Sequence, residues 1–336
     1  MARRRKQKKI YPYIIATIVG LLIITIIVTL LITGSPSSLT TDSITMSPTE
    51  KTDDNKLRII SFNIHYGSGY TNAYMKNAVG QDRYTYLDQI AEIISSADIV
   101  LMQEVDKSVR RSHFIDELEY LREKAGFSYS HFSDNWNFRL LPFLNPTNFG
   151  KLRTGHGILS RHPIKDADTY TFQKPHASFW HRWFFLWRTQ QYVDIDINDQ
   201  TLRVFNVHLE SESQADRISQ ATQLKQLVTK TKHPTILMGD FNAILPEATD
   251  KDFPNENYLD DPTIEIIRET DLKELFPPSQ YTREPKKYFT FPSRKPDRRL
   301  DYMFYSEEID IITPNTLQQY KEASDHIPIQ VDFRLR

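Results

Sequence analysis

Cysteine is absent from all 336 residues. Soft thiolate sites are therefore excluded, and any bound metal would be held by oxygen and imidazole donors. The absence says nothing of compartment, since such a chain folds in oxidising or reducing surroundings. An excess of basic charge is also missing: 42 Lys and Arg face 43 Asp and Glu. Setting aside six basic residues at the N-terminus leaves 36 against 43, so the remainder is acidic. Sequence-independent attraction to a polyanion normally rests on basic surface, and this chain as a whole does not offer it. No internal repeat is evident, and no second long apolar run follows the first.

That first run is present and informative. Arg3, Arg4, Arg5, Lys6, Lys8 and Lys9 precede Tyr13 to Ile32, which carries no charge and is dominated by Ile, Leu and Val. About twenty such residues span a bilayer. A cleaved signal peptide is the rival reading, but its apolar core is shorter and a small-residue cleavage pattern does not follow directly. The expectation is a basic cytoplasmic tail over 1–12 and an uncleaved transmembrane helix over 13–33. The basic cluster places the N-terminus in the cytoplasm and everything after the helix outside, a single-pass membrane protein with an extracytoplasmic domain. Residues 34–55, rich in Ser, Thr and Asp, read as a flexible linker. Residues 56–336 are long enough to bury one α/β core without staples.

Within that domain, polar residues recur at the ends of apolar strand patterns. Thr235 to Met238 runs into Asp240 and Asn242, whose spacing puts both side chains on one face of an extended backbone. LRIISFNIHYG ends in Asn63 and His65, DIVLMQEVD in Glu104, and LRVFNVHLE in Asn206 and His208. RRLDYMFYS carries Asp301, and SDHIPIQVDF sets Asp325 beside His326 before another alternating strand. Helices are expected near Tyr84 to Ser96, Ile115 to Ala125 and Ala215 to Lys230.

Taken in order, FNIHYG, LMQEVD, GHGILSRHPI, NVHLE, GDFNA, RRLDYMF and SDHIPI resemble the endonuclease/exonuclease/phosphatase superfamily, over Leu57 to about Phe333. The resemblance implies a four-layered α/β/β/α sandwich of two mixed sheets flanked by helices, with the site at one sandwich edge. It implies a phosphodiester-hydrolysing enzyme that uses Mg2+ or Mn2+. By resemblance, Glu104 is the principal metal ligand, with Asn63 beside it and Asp325 supporting metal or water. Asp240 orients or deprotonates the attacking water, Asn242 holds a phosphoryl oxygen, His208 and His326 stabilise developing charge, and Asp301 orients one of the histidines. Arg298 and Arg299, in a segment crowded with cations, are candidates for substrate binding. The substrate is nucleic acid or a phospholipid headgroup, and the bilayer is the other partner, through the N-terminal helix. A non-catalytic anchored binding module on the same fold is the alternative. Its signature would be losses among Glu104, Asp240, Asn242, His208 or His326, and all five residue types are present.

Other residues carry blander expectations. His65, His156 and His162 read as structural or peripheral, and Arg217 and Gln220 as the solvated face of an amphipathic helix. The segments Ser128 to Leu152 and Pro175 to Arg188 are unusually aromatic. The second, with Trp180, Trp183, Phe184, Phe185 and Trp187, is read as core packing or as an apolar loop touching the bilayer.

Overall fold

The apolar strand patterns form two sheets packed face to face. The computed structural model describes residues 2–32, 41–45, 56–70, 83–141, 150–173, 188–248, 258 and 260–336. In chain order these begin with helix α1 (Ala2–Ile32), β1 (Thr41–Thr45) and β2 (Leu57–Asn63), then α2 (Arg83–Ile94), β3 (Ile99–Asp106) and α3 (Glu117–Ala125). The hairpin of β4 (Tyr129–Leu141) and β5 (Gly150–Ser160) follows, then β6 (Ile164–Thr171), β7 (Thr189–Ile197) and β8 (Gln200–His208). Helix α4 (Gln214–Thr229) leads to β9 (Thr235–Asp240), α5 (Thr263–Arg268) and β10 (Lys273–Glu274). The chain closes with β11 (Asp301–Tyr305), β12 (Ile309–Thr316) and β13 (Ile329–Leu335). One sheet has the order β1-β4-β5-β3-β2-β13-β12, and the other β10-β11-β9-β8-β7-β6.

Each sheet has one parallel pair, β2 with β3 and β8 with β9; the other pairings are antiparallel. Parallel neighbours need a crossover, and α2 and α4 supply it. Helices and the facing sheet then cover both faces of the central strands, which is why these read as continuous apolar runs. Between the sheets lie Ile59, Leu101, Val204, Ile236 and Val331, all fully buried. The outer face of the first sheet packs Ile60, Phe62 and Met102 against Leu87, Ile90 and Ile94 of α2 and Leu121 of α3.

This topology places the site. The parallel strands of both sheets end at the same side, where Asn63, Glu104, His208 and Asp240 stand at or near their carboxyl ends. In-register pairing sets His208, Asp240 and Asp301 in one row across β8, β9 and β11. Neighbours in such a row share a face of the sheet. Gly239 makes the close approach possible. A Cβ there would lie 2.1 Å from the Val207 carbonyl oxygen, on a backbone with φ of 150°. Gly239→Ala is therefore expected to destabilise the domain by about 3 kcal/mol. Equilibrium urea unfolding checks this, and an unchanged midpoint would refute it.

Two expectations need correction. The linker is not unstructured throughout, because Thr41–Thr45 adds to the first sheet, pairing antiparallel with Tyr129 to Ser133 of β4. Thr-Asp-Ser-Ile-Thr includes β-branched residues suited to an edge strand, a signal that its polarity masked. Arg217 and Gln220 are buried, not solvated. Arg217 pairs with Asp261 at 2.7 Å and donates to the Glu210 carbonyl, and the Gln220 side-chain oxygen accepts the Glu210 N–H. The N-terminal helix spans Ala2–Ile32 and so includes both the basic cluster and the apolar run. Its side chains are described at 12–26 and 28 only, and among the described residues no helix is long and apolar enough to cross a membrane. The aromatic segment from Pro175 lies outside the described residues except for Arg188.

Candidate active site

The site is assembled from strand ends that depart from regular geometry. At the end of β3 a bulge interrupts pairing with β5 between Met102 and Val105, and Glu104 adopts a left-handed φ of 56°. A non-glycine residue held there costs on the order of 1–3 kcal/mol, and such strain concentrates where a side chain must be aimed. Here it turns the Glu104 carboxylate out of the sandwich, leaving it 21 % exposed. The Asn63 amide ties it to the other sheet, with Nδ2 lying 3.4 Å from Glu104 Oε1 and donating to Asp240 Oδ2 at 3.1 Å. Asn63 Oδ1 accepts the His65 backbone N–H.

Asp240 is the centre. It is 1 % exposed, and burial pushes its carboxyl up to about 7. Its Oδ1 accepts the Asn242 backbone N–H at 2.9 Å. The strand ends at Asp240, and Asn242 has a left-handed φ of 50°. The two side chains therefore do not share a strand face by period two. An Asx turn brings them together, and the Asn242 amide donates to the Leu209 carbonyl at 3.0 Å.

Two histidines flank Asp240 with opposite electrostatics. His326 Nε2 lies 3.6 Å from Asp240 Oδ2, and its Nδ1 lies 2.9 Å from Asp301 Oδ2. Burial alone would lower its pKa, but the charges of Asp301 and Asp240, the Asp301 hydrogen bond and Asp325 outweigh it and raise the ring well above its ordinary value. His208 Nε2 lies 3.7 Å from Asp240 Oδ2 and 3.8 Å from Glu104 Oε1. Burial, then Arg188, His156 and His326, hold it well below the ordinary value. One imidazole is cationic and the other neutral, the kind of separation that assigns different proton roles to like groups.

Behind His208 stand residues expected to be peripheral or not foreseen at all. Arg188 Nη1 lies 3.0 Å from each His208 ring nitrogen, and no sequence signal distinguished it within the aromatic run. The His156 ring meets His208 edge-on at 5.5 Å. Asn135 Oδ1 accepts from Thr189 Oγ1, which leaves Asn135 Nδ2 to donate to His156 Nε2 at 2.8 Å. That network puts the His156 proton on Nδ1. Burial, then the Arg188 charge, lowers His156 to about 3.

A pH expectation follows from His156. Its folded pKa lies below the unfolded value of about 6.5, so the folded state binds fewer protons between about 3 and 6.5. The stability this represents is present above 6.5 and is lost as pH falls towards 3. His156→Gln is expected to melt with a shallower acid slope than the wild type over that window. Parallel slopes in thermal melts would refute it.

The remaining candidates divide. Asp325 accepts from Ser324 Oγ at 3.3 Å and lies 3.6 Å from His65 Nδ1, so His65 stands at the site's edge. Arg298 lies over Phe291, whose ring packs on His326. Arg299 points the other way. It is buried, donates to Glu274 and to the Phe276 and Asp301 carbonyls, and stacks on Tyr302, so its placement is structural and it does not reach substrate. His162 is a half-buried ring away from these groups.

A divalent cation fits this chemistry. Four carboxylates, those of Glu104, Asp240, Asp301 and Asp325, face one imidazolium, and a hard ion would relieve the surplus negative charge. Asp240, Asp301 and His326 offer ligand atoms within 4.8 Å of one another. In that trio, however, Asp301 already occupies His326 Nδ1 and the ring carries a proton. The Glu104 carboxylate, nearer solvent and with Asn63 beside it, suits the ion better.

Comparison with known proteins agrees with this architecture. A family model described as "Endonuclease/Exonuclease/phosphatase family" matches residues 60–326. Among solved structures, an endonuclease/exonuclease/phosphatase from Beutenbergia cavernae aligns at 21 % identity with a TM-score of 0.63, over 83 % of this chain and 72 % of that one. A mannosyl-6-phosphatase of Bacteroides thetaiotaomicron aligns at 17 % and 0.54, over 82 % of this chain and 99 % of that one. A D. rerio TDP2 complexed with single strand DNA product aligns at 14 % and 0.52, over 84 % and 100 %. Likeness at these identities concerns the fold alone. No curated protein matches the chain.

Proposed function

The chain belongs to the endonuclease/exonuclease/phosphatase family, and from that premise we propose that it is a membrane-anchored, divalent-metal-dependent phosphodiesterase. The observation that carries the reading is the Asp240, His326 and Asp301 line, with His208, Glu104 and Asn63 converging on the same carboxylate. Net hydrolysis adds hydroxide to phosphorus and a proton to the departing alcohol. Asp240, poised near neutrality, accepts the proton of the attacking water and afterwards releases it to solvent, from which the departing alkoxide takes up the proton that balances the step. His326 donates Nε2–H to a phosphoryl oxygen as charge develops there, and Asp301 holds the ring through Nδ1. His208 contributes a neutral imidazole beside the Arg188 cation, and the second amide hydrogen of Asn242 remains for a phosphoryl oxygen. Mg2+ or Mn2+, held by Glu104 with Asn63 and Asp325 alongside, would neutralise charge on the phosphoryl oxygens and favour ionised water.

The substrate is a nucleic acid or phospholipid headgroup diester. Neighbours in fold include a mannosyl-6-phosphatase and a TDP2 bound to single strand DNA product, which supports phosphate-ester chemistry without choosing between them. Purified full-length protein in detergent should hydrolyse bis(4-nitrophenyl) phosphate with added Mg2+ or Mn2+ and lose that activity to chelator. Absence of hydrolysis with every ion, or activity indifferent to chelator, would sink the reading.

Anchoring rests on the basic cluster ahead of the apolar run and on the helix Ala2–Ile32 that contains both. With the N-terminus cytoplasmic, protease added to intact spheroplasts should digest the domain that holds Asp240. Protection until the membrane is lysed would reverse the orientation.

A further inference from the structure

The chain that leaves the N-terminal helix reaches the domain at its catalytic edge. Strand β3 ends at that edge, β5 runs against β3, β4 against β5 and β1 against β4. The first residue of β1, and not its last, therefore lies on the side of the site. The register gives the height. Thr41 pairs with Ser133, Ser133 pairs with His156, and His156 stands opposite the bulge of β3 that carries Glu104. Three strand spacings, about 14 Å, separate Thr41 from that bulge. Residues 33–40 join Ile32 to Thr41 and at full extension cover roughly 30 Å. Had the chain entered at the other end of β1, the body of the sandwich would stand between the helix and the site.

The same edge carries a fixed apolar projection. The loop from Lys107 to Asp116 follows β3 directly, and an antiparallel bridge between those two residues closes it. Within it Phe114 is 60 % exposed, near the exposed Arg110 and His113. A lone exposed ring is ordinary on a protein surface. This one is held outwards. His113 and Phe114 have left-handed φ of 54° and 62°, uncommon for bulky side chains, and the Phe114 N–H donates to the Val109 carbonyl at 2.8 Å. Val109 is buried with Leu152 against Trp136, which gives the loop a small core of its own. The loop also borders the site. Arg111 lies 3.5 Å from the centre of the Tyr66 ring, whose phenol is raised by burial and then by the Glu104 charge. An aromatic ring beside cations suits the headgroup region of a bilayer.

We propose that β1 straps the domain to its anchor with the catalytic edge facing the bilayer, and that Phe114 and Arg110 enter the headgroup region of that membrane. This orientation rests on the anchored phosphodiesterase reading and adds to it the surface that meets the lipid.

The lack of cysteine allows a single nitroxide to be placed on an introduced thiol. Full-length protein in vesicles of phosphatidylcholine and phosphatidylglycerol is labelled at Phe114→Cys or, beyond the opposite end of β9, at His233→Cys, both exposed positions. The ratio of collisions with oxygen, which concentrates in lipid, to collisions with a water-soluble nickel chelate should be roughly fivefold higher at 114 than at 233. Equal ratios overturn the proposal. Ser43→Pro with Ile44→Pro removes a ladder N–H, whichever of the two faces β4, and so frees β1. In that background, with near-ultraviolet circular dichroism showing a folded domain, the ratio at 114 should fall to that at 233. A ratio that survives both prolines overturns the strap. Flotation of the protein with the vesicles and hydrolysis of bis(4-nitrophenyl) phosphate test the anchor and the chemistry separately. Loss of flotation sinks the anchor and this orientation with it, whereas absence of hydrolysis sinks the phosphodiesterase reading and leaves the two labels to decide the orientation.

Discussion

Asp240→Asn is expected to lower kcat by about a thousandfold, the scale of a positioned proton acceptor. The carboxylate meets Asn63, Asn242, His208 and His326 within 3.7 Å, so its loss removes the proton acceptor and the charge that both histidines face. Folding should survive. Asn retains an acceptor for the Asn242 N–H, and a carboxyl raised to about 7 is one that the fold holds at a cost when ionised. The sign follows: a raised folded pKa means stability is lost as pH rises from about 4 through 7, and Asn removes that loss. The variant should therefore melt at or above the wild-type temperature at pH 8, while turnover collapses. Near-wild-type turnover in a folded variant would contradict the assignment, and loss of both activity and stability would recast Asp240 as structural.

Glu104→Gln is expected to lower activity at least a hundredfold at low metal and to shift half-activation to higher metal concentration. Gln preserves shape and hydrogen bonding but not the charge that a hard cation requires. The bulge and the left-handed backbone at Glu104 are unaltered by this change, so the melting temperature should not fall. Titration of activity with Mg2+ and Mn2+, in parallel with thermal melts, reads both effects. An unchanged metal dependence would place the cation elsewhere, with the Asp240, Asp301 and His326 trio as the alternative site.

Much of this site could be read in the sequence because it stands at strand ends. Strands buried on both faces leave long apolar runs, and a polar residue closing such a run is conspicuous, as at Asn63, Glu104, His208 and Asp240. What failed to show depends on the third dimension. Arg298 and Arg299 look equivalent in the sequence, yet adjacent residues of extended chain point to opposite sides, one towards His326 and the other into Glu274. Arg217 sits on the polar stripe of α4, and only the return of the chain to Asp261 buries it. Arg188 closes an aromatic run whose composition hides it. Asn242 followed an extended pattern, but the backbone turned left-handed two residues beyond the strand.

Hydrolysis of bis(4-nitrophenyl) phosphate by wild-type full-length protein and by His326→Gln, each with saturating Mg2+ or Mn2+, is the most direct measurement of the central claim. The account predicts release of 4-nitrophenol by the wild type and a fall of about a hundredfold or more in a folded His326→Gln. Equal rates, or no release by the wild type with either ion, would contradict it.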